Sequence, residues 1–113
     1  DWRFKNLDDE DAKVVAYVVA TSGSMATLIL NDNSIGDVGA KAIAEAVRSS
    51  GSMATLILQS CGIGDEGAKA LAEAVRSSRS MDFLNLSSNS ISAAAKQSLR
   101  DAVQGRQGFN LEV

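Results

Sequence analysis

The sequence predicts an α/β solenoid: a right-handed arc with a parallel strand ladder on its concave face and helices on its convex face. Three observations lead there. Residues 24–51 (SMATLILNDNSIGDVGAKAIAEAVRSSG) match residues 52–79 (SMATLILQSCGIGDEGAKALAEAVRSSR) at 21 of 28 positions, which marks a tandem repeat. Each copy opens on leucines two apart, Leu28 and Leu30, then Leu56 and Leu58, then Leu84 and Leu86, so both members of a pair point to one face of a strand. Each of the two matching copies then runs into GAKxxAEAV, whose apolar positions recur at helical spacing. Strands stack at about 4.8 Å while packed helices need about 8–10 Å between axes, so such a pile must bend with its strands inside.

Taken in order, the elements form one domain over residues 1–113. Residues 1–23 are a partial repeat or N-terminal cap: counting one period back places Leu7, Asp9, Ala12, Lys13, Ala16 and Val19 under Ile35, Asp37, Ala40, Lys41, Ala44 and Val47. The chain opens at Asp1 without an initiator Met, inside a repeat, which points to a cut or processed start. Residues 24–51 and 52–79 are full repeats, residues 80–107 a C-terminal capping repeat, and residues 108–113 a final strand in which Leu111 and Val113 echo Leu84 and Leu86.

At 100° per residue, Ile43 and Val47 face the strand, Ala40 and Ala44 lie to one side, and Gly39, Ala42 and Ala46 lie to the other. The small residues reduce the spacing between helices. In the third copy the first pair becomes Lys96 and Arg100, which suits a water-facing end. At the opposite end Val14 and Val18 replace Ala42 and Ala46, and Tyr17 replaces Glu45. Trp2 and Phe4 folding back would cover that apolar side; otherwise earlier repeats are missing or two chains pair there. Asp9, Asp37 and Asp65 fit N-caps or first-turn acids of their helices, as does Ser92, and Arg48 and Arg76 fall in last turns. Asp37, Lys41 and Glu45, with Asp65, Lys69 and Glu73, form a charged outer stripe at spacing four.

Each repeat opening follows LxxLxLxxNxI: Met25, Leu28, Leu30, Asn33 and Ile35; Met53, Leu56, Leu58, Cys61 and Ile63; Met81, Leu84, Leu86, Asn89 and Ile91. This pattern, a 28-residue period and the helical second half together resemble leucine-rich repeats of the ribonuclease-inhibitor subtype over nearly the whole chain. That subtype also occurs in intracellular receptor sensors and in the activating protein of the Ran GTPase. The resemblance implies a protein-binding role and a structural reading of Cys61, since the family tolerates Cys in the Asn slot.

Composition narrows the function. The chain is 45% apolar and 22% charged, with no histidine and one cysteine, so Ser/His/Asp, Cys/His, HExxH and paired CxxC chemistries are unavailable. No enzymatic activity and no cofactor are expected. The net charge of −3, with bases spread along the chain, shows no nucleic-acid footprint. The longest apolar run, Val14 to Ala20, falls far short of the roughly 20 residues of a membrane span, and no signal pattern opens the chain. With a single cysteine, an intracellular and cytoplasmic setting is expected.

Several motifs invite chemistry. Gly62, Gly64 and Gly67 spell GxGxxG, but the preceding repeat has Ser34 at the first position, Ile63 is a core position, and Asp65 would oppose a phosphate. Asp8, Asp9, Glu10 and Asp11 radiate from a forming helix and complement its dipole rather than converging on a cation. Ser80 follows Arg76 and Arg79 in a way that would suit phosphorylation, though loop composition explains it more simply.

The remaining candidate is the inner face. Thr27, Ile29, Asn31 and Asp32 align with Thr55, Ile57, Gln59 and Ser60, then with Phe83, Asn85, Ser87 and Ser88, with Asp1, Arg3 and Phe4 before them and Glu112 after. Two Ile and a Phe among polar residues read as a contact patch for a protein partner. Four of the seven differences between the two matching copies are consecutive, from Asn31/Gln59 to Ser34/Gly62, at the edge of this face. Its area of about 200–300 Å² is well under the roughly 800 Å² per side of a standard interface, so a stable partner must also use loops or further repeats. The alternative reading is an assembly domain that forms a homodimer through Val14, Tyr17 and Val18.

Overall fold

The computed structural model describes residues 7–113; the cap expected of Trp2 and Phe4, and the inner-face places of Asp1, Arg3 and Phe4, lie outside the described residues. Strands and helices alternate along the chain: α1 (Asp9–Thr21), β1 (Thr27–Ile29), α2 (Gly36–Ser49), β2 (Thr55–Ile57), α3 (Asp65–Ser77), β3 (Phe83–Asn85), α4 (Ala93–Ala102) and β4 (Asn110–Glu112). The strands form one parallel sheet in the order β1-β2-β3-β4. Register follows the repeat, with Leu28 opposite Leu56 and Leu56 opposite Leu84. Leu111 continues the row opposite Leu84.

Three-residue strands suffice because the sheet is held by what it buries. Leu28, Leu56 and Leu84 form one buried column, Leu30, Leu58 and Leu86 a second, and Ile35, Ile63 and Ile91 a third. The helices answer with Ile43, Leu71 and Leu99, each at most 1% exposed. Each such side chain contributes about 1.5–3 kcal/mol on burial. No repeat can do this alone; each buries its apolar side only against the next.

Immediately after each strand the chain turns through the left-handed region at equivalent positions, Asp32 (φ 62°), Ser60 (φ 57°) and Ser88 (φ 60°). Short polar side chains tolerate that conformation better than branched ones, which accounts for their presence there. The turn ends the strand and aims the following residue inward. Asn33 and Cys61 are buried at that next position and Asn89 is half-buried.

Helix spacing is governed by the small residues. A Cβ on Gly39 would meet Ala12 Cβ at 2.9 Å, and one on Gly67 would meet Ala40 Cβ at 2.9 Å, so the Gly39 side looks back along the stack and the Ala40 side looks forward. On α4 the forward positions carry Lys96, half-buried, and Arg100, exposed. On α1 the backward positions carry Val14 and Val18, 66% and 38% exposed, beside Tyr17 at 68%. Val38, the other large apolar side chain left in water among the described residues, stands at 52% on α2 and was not anticipated by the sequence.

Candidate functional site

The sheet places the inner-face residues in rows. Thr27, Thr55, Phe83 and Asn110 stand side by side, and Ile29, Ile57, Asn85 and Glu112 form the adjacent row. Ile29, Ile57, Thr55 and Phe83 are half-buried and Thr27 is exposed, so an aliphatic pair and an aromatic ring sit among neutral polar groups. Glu112 brings a carboxylate to the β4 end, where its Oε2 accepts a hydrogen bond from Asn85 Nδ2 at 3.3 Å.

The third row differs from a simple outward-facing strand. The strands end at Ile29, Ile57 and Asn85, so Asn31, Gln59 and Ser87 lie in the turn. Asn31 Oδ1 accepts from Gln59 N at 2.9 Å, and Asn85 Oδ1 accepts from Ser87 N at 2.9 Å. Both carboxamides therefore tie backbone together, which leaves them less free for contact than sequence alignment implies. Asp32 and Ser60 project from the left-handed turn at the rim.

Behind this face the Asn slot joins repeats. Asn89 Oδ1 accepts from Cys61 N (2.8 Å) and Ile63 N (3.0 Å), while Nδ2 donates to Leu58 O (2.8 Å), Leu86 O (3.0 Å) and Ser87 O. Asn33 does the same one repeat earlier, accepting from Leu7 N at 2.9 Å and donating to Leu30 O at 3.0 Å. Cys61 fills its slot with a thiol that donates to Leu30 O at 3.0 Å. It is buried, and burial pushes its pKa above the usual thiol value, so the nucleophilic thiolate is disfavoured.

The glycine motif has a physical resolution. Asp37 does not cap its own helix; its Oδ1 crosses to the next repeat and accepts from Gly64 N at 2.7 Å and Gly67 N at 3.0 Å. The amides that a phosphate would use at the start of α3 already hold a carboxylate. Asp65 repeats the move, accepting from Ser92 N at 2.7 Å. Asp9, Asp37 and Asp65 all stand in the first turns of their helices as expected, while the N-cap of α1 is Asp8: it accepts from Asp11 N at 3.0 Å and Asp11 returns the bond to Asp8 N. The charged stripe is likewise rearranged, since Lys41 pairs with Glu66 of α3 at 3.8 Å instead of along its own helix.

Hydrogen bonds from Ser92 hold the Asp65 carboxyl below the usual carboxylate pKa, and backbone bonding by Asp11 does so for Asp8. A group whose pKa is depressed on folding adds stability above its unfolded value and loses it as pH falls through the folded one. Stability should therefore decline as pH drops below about 4. Urea midpoints measured from pH 7 to pH 2 check this, and Asp65→Asn should flatten the dependence.

Ser80 is not displayed for modification: its Oγ donates to Met53 O at 2.7 Å, as Ser52 Oγ does to Met25 O. Sequence reasoning also missed Arg106. Its guanidinium donates to Val75 O at 2.5 Å, near the end of α3, and to Met81 O at 2.7 Å, and lies 5.1 Å from the Phe109 ring centroid. Nothing in a one-dimensional pattern pairs a residue of the last turn with carbonyls 25 and 31 residues earlier.

Comparison with known proteins agrees with this geometry. Residues 24–44 and 52–72 match the leucine-rich repeat family. The fold is a leucine-rich-repeat solenoid. Among solved structures the solenoid is similar to leiomodin-1 actin-binding site 2, with a TM-score of 0.81 and 13% identity over 94% of this chain. The chain spans 62% of the length of that structure. No curated protein sequence matches.

Proposed function

We propose that this leucine-rich-repeat solenoid is a protein-interaction module that holds its partner on the concave strand face and the adjoining loops. The observation that carries the reading is the side-by-side placement of half-buried Ile29 and Ile57, with Phe83 diagonal to Ile57, among mostly uncharged polar groups. Such a mixture gains from losing water against another protein without the desolvation cost of buried charge. The small sheet favours a weak contact, or one shared with repeats of a longer intracellular sensor or scaffold of the ribonuclease-inhibitor subtype. The reading assigns no catalysis and no cofactor. Actin, the partner named for the structural neighbour, is the first probe to try.

Ile57→Asp is the test. A carboxylate at the centre of the contact should weaken capture of the partner by at least about tenfold, measured with immobilised chain against actin and against extract of the native source, with circular dichroism unchanged. Undiminished capture by a folded variant would refute the inner face. Exposure of Val14, Tyr17 and Val18 supports the second reading, self-association through α1. Val18→Glu separates the two: it leaves capture intact if the concave face is the site, and alters light scattering only if α1 pairs with a second copy.

A further inference from the structure

The fold brings Arg106 beside two arginines at the end of α3. Arg76 and Arg79, at and beyond the end of α3, and Arg106, 27 residues after Arg79, line one open pocket of about 370 Å³ together with Ser77 and Ser78. No acidic side chain lines it. Among the described residues the ion pairs formed are Lys13 with Glu10 and Lys41 with Glu66, so none of the three pocket arginines is neutralised by a carboxylate. This is a local excess of positive charge on a chain whose net charge is −3.

The three guanidinium groups are not equivalent. Arg106 is fixed by its bonds to Val75 O and Met81 O and by the Phe109 ring, so it presents its remaining N–H groups from a set position. Part of its charge answers the carbonyl end of α3. Arg76 and Arg79 are exposed and add two further forks on the pocket rim. The corresponding place in the preceding repeat has Arg48 but Gly51 where Arg79 stands, and nothing lies within 4 Å of a Cβ at Gly51. The third cation is therefore a feature of one repeat and is not required to build the turn.

We propose that this pocket binds a phosphate group. Three arginines lining one pocket suit a tetrahedral dianion with several acceptor oxygens better than a flat carboxylate, which one guanidinium saturates in bidentate fashion. The site is on the helix-to-strand edge, away from the inner sheet face, and the inference does not depend on the function proposed above.

The full chain is titrated with sodium phosphate at pH 7.5, and the amide resonances of Ser77, Ser78 and Arg79 are followed by NMR. Sodium chloride and sodium acetate at matched ionic strength are the controls. Saturable shifts in phosphate alone are expected. Arg79→Gly, which restores the residue of the preceding repeat and so should fold, is expected to weaken binding by about tenfold. A phosphoserine peptide that binds more tightly than inorganic phosphate places the natural phosphate on a protein; equal affinity places it on a free metabolite. Absence of saturation, equal shifts in acetate, or an affinity unchanged by Arg79→Gly would overturn the assignment.

Discussion

Asn89→Ala should lower the unfolding free energy by about 2–4 kcal/mol, the cost of orphaning several buried or half-buried backbone groups at once. The carboxamide accepts from two amides of the preceding repeat, Cys61 N and Ile63 N, and donates to Leu58 O of that repeat and Leu86 O of its own. No methyl group replaces any of these bonds. Urea unfolding followed by circular dichroism measures the loss. Asn89→Asp should be at least as damaging, because it removes the donor and sets a negative charge beside carbonyl oxygens. Cys61→Ala, at the equivalent position, should cost less: the thiol supplies a weak donor to Leu30 O and Gln59 O and no carboxamide oxygen. A similar loss at both positions would mean that the slot matters for its volume and not for its hydrogen bonds.

Gly67→Ala should destabilise by about 1–3 kcal/mol even though alanine is the better helix former by about 1 kcal/mol. The added Cβ would lie 2.8 Å from Asp37 Oδ1, 2.8 Å from Ile63 Cγ2 and 2.9 Å from Ala40 Cβ. Relief requires α3 to move from α2, or Asp37 to leave the amides of Gly64 and Gly67, so overpacking and a lost cap act together. Gly51→Ala is the control. Nothing lies within 4 Å of its Cβ, so its midpoint should stay at or above that of the parent. Thermal and urea midpoints of the two variants, measured side by side, should move in opposite directions or differ by the full clash.

The contrast between these two glycines shows how far the repeat pattern can be read. GAKAIAEAV and GAKALAEAV announce small residues on helix flanks, and the need for close helices follows from strand spacing alone. That Gly67 also guards the Asp37 carboxylate is a relation between residues 30 positions apart and leaves no local trace. Asp37 was legible as a first-turn acid, and it is one; its hydrogen bonds go to the next repeat, to the amides of Gly64 and Gly67 at the start of α3. The inner face shows the same division. The alternation of Thr27, Leu28 and Ile29 assigns sides correctly, but Asn31 turns back into the backbone after a strand of only three residues.

By itself the sequence determined the unit, its period, the buried columns of Leu and Ile and the order in which the units pile up, because periodic apolar residues can be sheltered only one way. Tertiary structure alone decided which polar groups answer one another across repeats: Asp37 with α3, Asn89 with the turn before it, and Arg106 with Val75 and Met81. Burial is non-directional and follows composition at fixed spacing, whereas a hydrogen bond needs its partners within about 3 Å and correctly aimed. That proximity exists only after the repeats have stacked.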